Sequence, residues 1–229
     1  LNRIKGFFLY PALQTMVSLF FIAIISVLLY KIFEIEHVLW GIIIGSFLIC
    51  SPSLCSTLTY YYTADAYILA NIMAVLFVFI LIQKKQIKNM VGAMILLALS
   101  ASIYQAYVGL TITLCLLYLL YMLLIRADNW KKVLKQGFLF LFCGIGGLLL
   151  YLGGFQIYCN YYGIHPVEDR GFSSMGIIPL EKVGDLLKQA YQFFFDYYYT
   201  DALYNNTWHL RDKCNIVIFT LLIFVVIFQ

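Results

Sequence analysis

The sequence predicts an all-α fold: a polytopic helical membrane protein of about seven membrane segments, with an interfacial helix outside the bilayer. Three observations predict it. Hydrophobic residues make up 63% of the 229 residues and charged ones only 11%, where a soluble domain carries about 25% charged residues. The apolar residues fall in long uninterrupted runs, unlike the short alternating segments of a membrane β-barrel, and the mean hydropathy is +0.90. Tyr and Phe are abundant, as in the aromatic belts at membrane surfaces. The net charge of +4 includes no basic patch interleaved with aromatics, so nucleic acid is excluded as a partner.

Taken in order, Leu1–Pro11 is short, basic and aromatic, and suits the membrane interface. Ala12–Tyr30 is a first spanning helix, followed by a short loop, Lys31–His37. Val38–Cys50 is apolar but has 13 residues, where a span needs roughly twenty. Pro52 then breaks the helix, because it lacks an N–H and clashes with the preceding turn. The polar run Ser51–Asp65 therefore starts at membrane depth, where irregular backbone survives only inside protein or beside a wet cavity. With Tyr60–Tyr62 and Asp65, it reads as one wall of a cleft.

Ala66–Ile82 is the third segment, ahead of Lys84, Lys85 and Lys88. Met90–Ile103 is the fourth, interrupted at Tyr104–Gln105, and Val108–Ile125 the fifth. A second basic loop holds Arg126, Lys131, Lys132 and Lys135. Gly137–Tyr158 is the sixth segment, with Gly144, Gly146, Gly147, Gly153 and Gly154 available for close helix packing. The long loop Cys159–Lys213 follows. Within it Leu180, Val183, Leu187, Tyr191 and Phe194 recur at helical spacing after Pro179, with Glu181 and Asp185 in the first turns. This predicts an amphipathic helix over Leu180–Phe194. The domain organisation is thus a bundle over 1–158, an external loop over 159–213 and a final membrane segment over 214–229. The chain opens on Leu1 and closes within the apolar run Ile216–Phe228, so it reads as an internal portion of a longer protein.

The basic residues of the Lys84–Lys88 and Arg126–Lys135 loops belong in the cytoplasm. Counting spans then places Ser51–Asp65, Tyr104–Gln105 and the long loop together outside, with most of the acids. Of six cysteines, none has metal-ligand spacing. Cys115 and Cys143 suit packing positions, and Cys159 and Cys214 bracket the long loop closely enough in scheme to leave a disulfide open.

The candidate binding residues each carry two readings. Asp65 is a helix cap or a functional acid at the mouth of the cleft. Tyr104 and Gln105 are interhelical hydrogen-bond glue with Ser100 and Ser102, or they line the cleft. Arg170, beside His165, Glu168 and Asp169, is a solvated loop tip or a phosphate ligand; His209 and Arg211 are weaker candidates of the same kind. Asn205-Asn206-Thr207 matches a glycosylation acceptor. No phosphate-binding Gly-rich loop, nucleophile elbow or zinc helix motif is present.

The run SPSLCSTLTYYYTADAYILANIMAVLFVFIL, followed by LLALSASIYQAYVGLTI, resembles the GtrII-type membrane glucosyltransferases. The matching residues are Ser51, Pro52, Tyr61, Asp65, Tyr104, Gln105 and Ala106, and the likeness covers most of residues 5–125 and fades in the long loop. The resemblance implies a GT-C-like membrane fold. It implies transfer of a sugar, typically glucose, from a polyprenyl-phosphate donor to a cell-surface glycan outside the bacterial plasma membrane. Ser51, Tyr61, Asp65, Tyr104, Gln105 and Arg170 are then the substrate-binding candidates. It also implies an acidic base in a first external loop, which would lie upstream of Leu1 or within Leu1–Pro11, a stretch without Asp or Glu. No cofactor is called for, and a divalent metal is left open. A transporter or flippase of lipid-linked sugars is the alternative, although the internal repeats expected of one are absent from the sequence. A purely structural membrane subunit is the third reading, and it predicts no external cleft.

Overall fold

The computed structural model describes residues 11–60, 63–83, 86–163 and 183–199. The chain divides into two units, Leu1–His165 and Pro166–Gln229. The first holds α1 (Pro11–Ile32), α2 (Val38–Cys50), α3 (Pro52–Thr59), α4 (Ala64–Gln83), α5 (Ile87–Ile103), α6 (Tyr107–Leu124) and α7 (Trp130–Tyr162). The second holds α8 (Val183–Tyr199). No strand occurs among the described residues.

Among the described residues four helices, α1, α4, α6 and α7, are long and apolar enough to cross a membrane. The shorter α5 must cross as well, because it leads from the end of α4 back to the start of α6 and packs between α4 and α7. The 13 residues of α2 reach only about 20 Å, against a hydrocarbon thickness of about 30 Å. The expected seventh membrane segment lies outside the described residues. The protein is a helical membrane protein, and its packing has the polarity expected of one. Phe20, Trp40, Leu124 and Leu149 are exposed, while Gln14, Ser18, Asn71, Ser100 and Gln136 are buried. In lipid, buried polar side chains act as interhelical glue. Ser100 Oγ donates to the Ala70 carbonyl at 2.8 Å, joining α5 to α4. Gln136 Nε2 donates to the Leu81 carbonyl at 3.2 Å, joining α7 to α4. α4 itself supplies Ile68, Phe77, Val78 and Leu81 to the main apolar core. Cys115 and Cys143 are buried as well.

Several expectations change. Ser51–Asp65 is mostly helix: Pro52 ends α2 yet opens α3 at its first turn, where the missing N–H costs nothing. Ser51, extended at ψ 133°, caps α3 by accepting from the Leu54 N–H at 3.3 Å. The Arg126–Lys135 stretch is not all loop, since α7 begins at Trp130 and carries Lys131, Lys132 and Lys135 on its first turns. Asn129 caps it by accepting from the Lys131 N–H at 3.2 Å. At its other end α7 runs past Tyr158 to Tyr162 and stops at Gly163, left-handed at φ 61°, a conformation glycine adopts without steric cost.

Of the five glycines expected to serve close packing, only two do. A Cβ on Gly147 would meet the Met94 carbonyl oxygen and the Leu97 side chain at 3.0 Å, and one on Gly146 the Met94 sulfur at 2.8 Å. Gly144, Gly153 and Gly154 face open space. The amphipathic helix also shifts, to Val183–Tyr199. Val183, Leu187 and Tyr191 repeat every fourth residue and are exposed, with Asp185 in the first turn, where the helix dipole favours an acid. Pro179 and Glu181 lie outside the described residues.

Candidate functional site

The first unit has two chemically opposite ends. At one end the C-terminal ends of α1, α4 and α6 meet around a 430 Å³ pocket lined by Lys31, Glu34, Gln83, Tyr118 and Arg126 among others. Arg126 Nη1 donates to Glu34 Oε1 at 3.1 Å, and the Tyr121 hydroxyl lies 3.4 Å from Glu34 Oε2. Arg126 Nε lies 3.6 Å from Asp128 Oδ2, and Lys132 Nζ donates to Asp128 Oδ1 at 2.7 Å. Glu34 and Ala127 are left-handed, at φ 50° and 48°; each such non-glycine residue costs of order 1 kcal/mol, offset here by the ion pairs they bring into reach. The hydrogen bond from Lys132, with the cation of Arg126 nearby, holds the Asp128 carboxyl below the ordinary carboxylate range. The Glu34–Arg126 pair puts the α1–α2 and α6–α7 loops at the same end of the bundle, as span counting requires.

The opposite end holds no such charge network among the described residues. There Ser56, Thr57, Tyr60, Thr63, Tyr67, Tyr104 and Tyr107 line a pocket of 330 Å³. Four elements build it: α3, the Tyr60–Thr63 turn, the start of α4 and the α5–α6 turn. Tyr104 is extended (φ −155°, ψ 109°) and ends α5. Its ring lies 4.8 Å from Tyr67 and 5.4 Å from Tyr107, the latter edge-on. Thr57 shares a hydrogen bond with Tyr107. Every lining side chain is a neutral hydroxyl, and four are also aromatic. Such a lining offers ring faces to apolar C–H surfaces and hydroxyls to polar ones.

Of the candidate residues, Tyr104 lines this pocket and is 45% exposed. Gln105 instead donates from Nε2 to the Tyr151 hydroxyl, tying the α5–α6 turn to α7. Ser51 caps α3. Asp65 is buried in the first turn of α4, between the pocket residues Thr63 and Tyr67 but not among those lining it. Tyr61 and Arg170 lie outside the described residues. Ser100 works as glue, whereas Ser102 bonds its own helix at Leu99. Cys159 is buried with a free thiol, and Cys214 lies outside the described residues. Among the described residues, no three His, Cys, Asp or Glu side chains come together as a metal site would require. Ser56, Thr57, Tyr60 and Thr63 fall within the Ser51–Asp65 run read as a cleft wall, whereas the sequence reading does not single out Tyr67 and Tyr107. The one available signal was the Tyr104–Tyr107 spacing, which puts two rings on one side of a turn.

A lipid-facing bundle with a neutral, hydroxyl-lined pocket at one end defines an integral membrane protein suited to a small, hydroxyl-rich, uncharged ligand. Comparison with known families agrees with that class. The chain matches Glucosyl transferase GtrII over residues 4–229 and belongs to that family, as a membrane glucosyltransferase. The match continues through the long loop, further than the residue likeness over 5–125 reaches. No curated protein and no solved structure matches the chain.

Proposed function

We propose that this protein moves glucose from a polyprenyl-phosphate donor to a cell-surface glycan on the outer side of a bacterial plasma membrane. The observation that carries the reading is the tyrosine pocket, neutral and hydroxyl-lined, at the end of the bundle opposite the basic residues of α7. Basic residues favour the cytoplasmic side, so the pocket opens outward, where a lipid-linked sugar and a surface glycan meet. Tyr67, Tyr104 and Tyr107 take the faces of the sugar ring, and the hydroxyls of Ser56, Thr57 and Thr63 its edge. In the reaction the bond from the anomeric carbon to the lipid phosphate breaks and a bond to the acceptor oxygen forms. The acceptor proton passes to a general base, and a cation steadies the departing phosphate. Asp65 supports the pocket from behind.

The test is transfer of labelled glucose from polyprenyl phosphate to glycan in membranes carrying the full-length protein. A new glycosidic bond is the expected result. Movement of the intact lipid-linked sugar across the membrane, with no bond formed, would establish the flippase alternative instead.

A further inference from the structure

The turn between α5 and α6 is short and carries two of the rings that line the tyrosine pocket. α5 ends at Ile103 and α6 begins at Tyr107, so Tyr104 stands at one end of the turn and Tyr107 at the other. Little within the turn fixes it. Ala106, at the N-cap of α6, makes no side-chain cap bond. The Tyr107 N–H bonds the Tyr104 carbonyl at 3.3 Å, and the Val108 N–H the Gln105 carbonyl at 3.0 Å. Both span three residues, with poorer geometry than a full α-helical bond. The long-range tie is Gln105, whose Nε2 donates to the Tyr151 hydroxyl on α7. Tyr151 is itself firmly held. Its ring stacks on Phe155 with 6.3 Å between centroids. One turn earlier, Gly146 and Gly147 let α7 press onto α5 at Met94 and Leu97, which sets the height of Tyr151 against the turn.

We infer that Tyr151 is a positioning residue: through Gln105 it fixes the α5–α6 turn, and with the turn the Tyr104 ring between Tyr67 and Tyr107. Tyr104 lies 4.8 Å from Tyr67 on α4 and 5.4 Å from Tyr107 on α6. A turn free to shift would carry Tyr104 and Tyr107 away from Tyr67 and spread the pocket over several arrangements. Tyr151 lines a 650 Å³ cavity between α5 and α7 and is not among the residues of the tyrosine pocket, so it reaches the ligand through Gln105. Losing the tie removes pre-organisation of the binding surface without touching the reacting groups. Its signature is a raised donor KM at unchanged kcat. The inference rests on the proposed function for the identity of the ligand; the tie does not depend on it.

The experiment uses full-length protein in phospholipid nanodiscs and two readouts. One is amide hydrogen exchange over residues 104–109; the other is KM and kcat for glucose transfer from glucosyl polyprenyl phosphate. Tyr151→Phe should speed exchange over 104–109 several-fold and leave the rest of α5 and α6 protected. It should also raise the donor KM up to about tenfold, the scale of one lost hydrogen bond, with kcat unchanged. Gln105→Leu should do the same. The double variant should do no more than either single one, because all three remove one bond. Tyr158→Phe, which removes another α7 hydroxyl beside the same cavity, should change neither readout. Unchanged exchange in Tyr151→Phe, faster exchange with an unchanged KM, or additive effects of the two variants overturns the inference. A wild-type protein that transfers no glucose defeats the proposed function instead; shared, non-additive loosening of 104–109 would then retain Tyr151 as the anchor of the pocket wall.

Discussion

The two ends of the bundle solve different problems with similar numbers of polar side chains. At the ionic end Glu34, Arg126, Asp128 and Lys132 are linked in pairs between 2.7 and 3.6 Å, so their hydrogen-bonding capacity is largely used within the protein. At the tyrosine end the pocket residues are neutral, and Tyr60 and Tyr104 remain 56% and 45% exposed. The ionic groups fasten two loops to each other, whereas the tyrosine rings stay partly exposed. The difference separates a structural clamp from the end where the proposed function places its ligand, although both lie where helices begin or end.

The sharpest test of that contrast is Asp65, the buried acid in the first turn of α4. Asp65→Asn keeps the shape and the capping oxygen but removes the charge. Transfer in the full-length protein should fall about ten- to hundredfold, the scale of a lost charge-assisted hydrogen bond, with insertion and expression unchanged. Near-normal transfer would reduce Asp65 to a cap.

A smaller effect is expected of Tyr104→Ala, which removes the ring between Tyr67 and Tyr107. Aromatic pairs contribute about 0.5–1.5 kcal/mol each, so the donor KM should rise up to about tenfold, while Tyr104→Phe should retain the stacking. If Ala and wild type share one KM, the pocket does not hold the substrate.

The smallest effect belongs to the ionic end. Arg126→Ala removes a pair whose side chains are 34% and 55% exposed, and pairs of this kind contribute about 0.2–1 kcal/mol. Thermal stability should drop slightly and transfer should not change. The acid dependence has a definite sign. Asp128 has a depressed carboxyl, so its contribution is complete above the ordinary carboxylate pKa of about 3.9 and is lost as pH falls through the lower folded value. A melting profile that is already sensitive near neutral pH would show that another group governs this end.

The spans were legible because length and apolarity decide membrane insertion, and Val38–Cys50 was correctly read as too short. The helix after Pro52 was less so. Polar composition was taken for irregular backbone, although Ser51-Pro52 is also a cap followed by a first-turn proline. Lys131, Lys132 and Lys135 looked like loop for the same reason, yet a helix can carry charge once it reaches the membrane surface. The glycines from Gly144 to Gly154 look alike in sequence; only the placement of Met94 and Leu97 distinguishes Gly146 and Gly147 from the rest. Within the candidate site Tyr104 was legible as a polar break between apolar runs. Tyr67 and Tyr107 join it only through the register of α4 against α6, which no local pattern encodes.

The pairing of α1 with α4 bears on how the protein is made. α1 buries Ser18 and Gln14 and packs more extensively on α4 than on α2, its neighbour in sequence. Synthesis delivers α1 before α2 and α3, and only afterwards α4. Throughout that interval the polar stripe of α1 awaits its permanent cover, in a solvent where each unsatisfied group costs several kcal/mol. The nascent chain therefore passes through a stage in which α1 is provisional, sheltered by the insertion machinery or by α2. Release into lipid is completed when α4 emerges, and a ribosome stalled before residue 64 would leave an orphaned helix for quality control to remove.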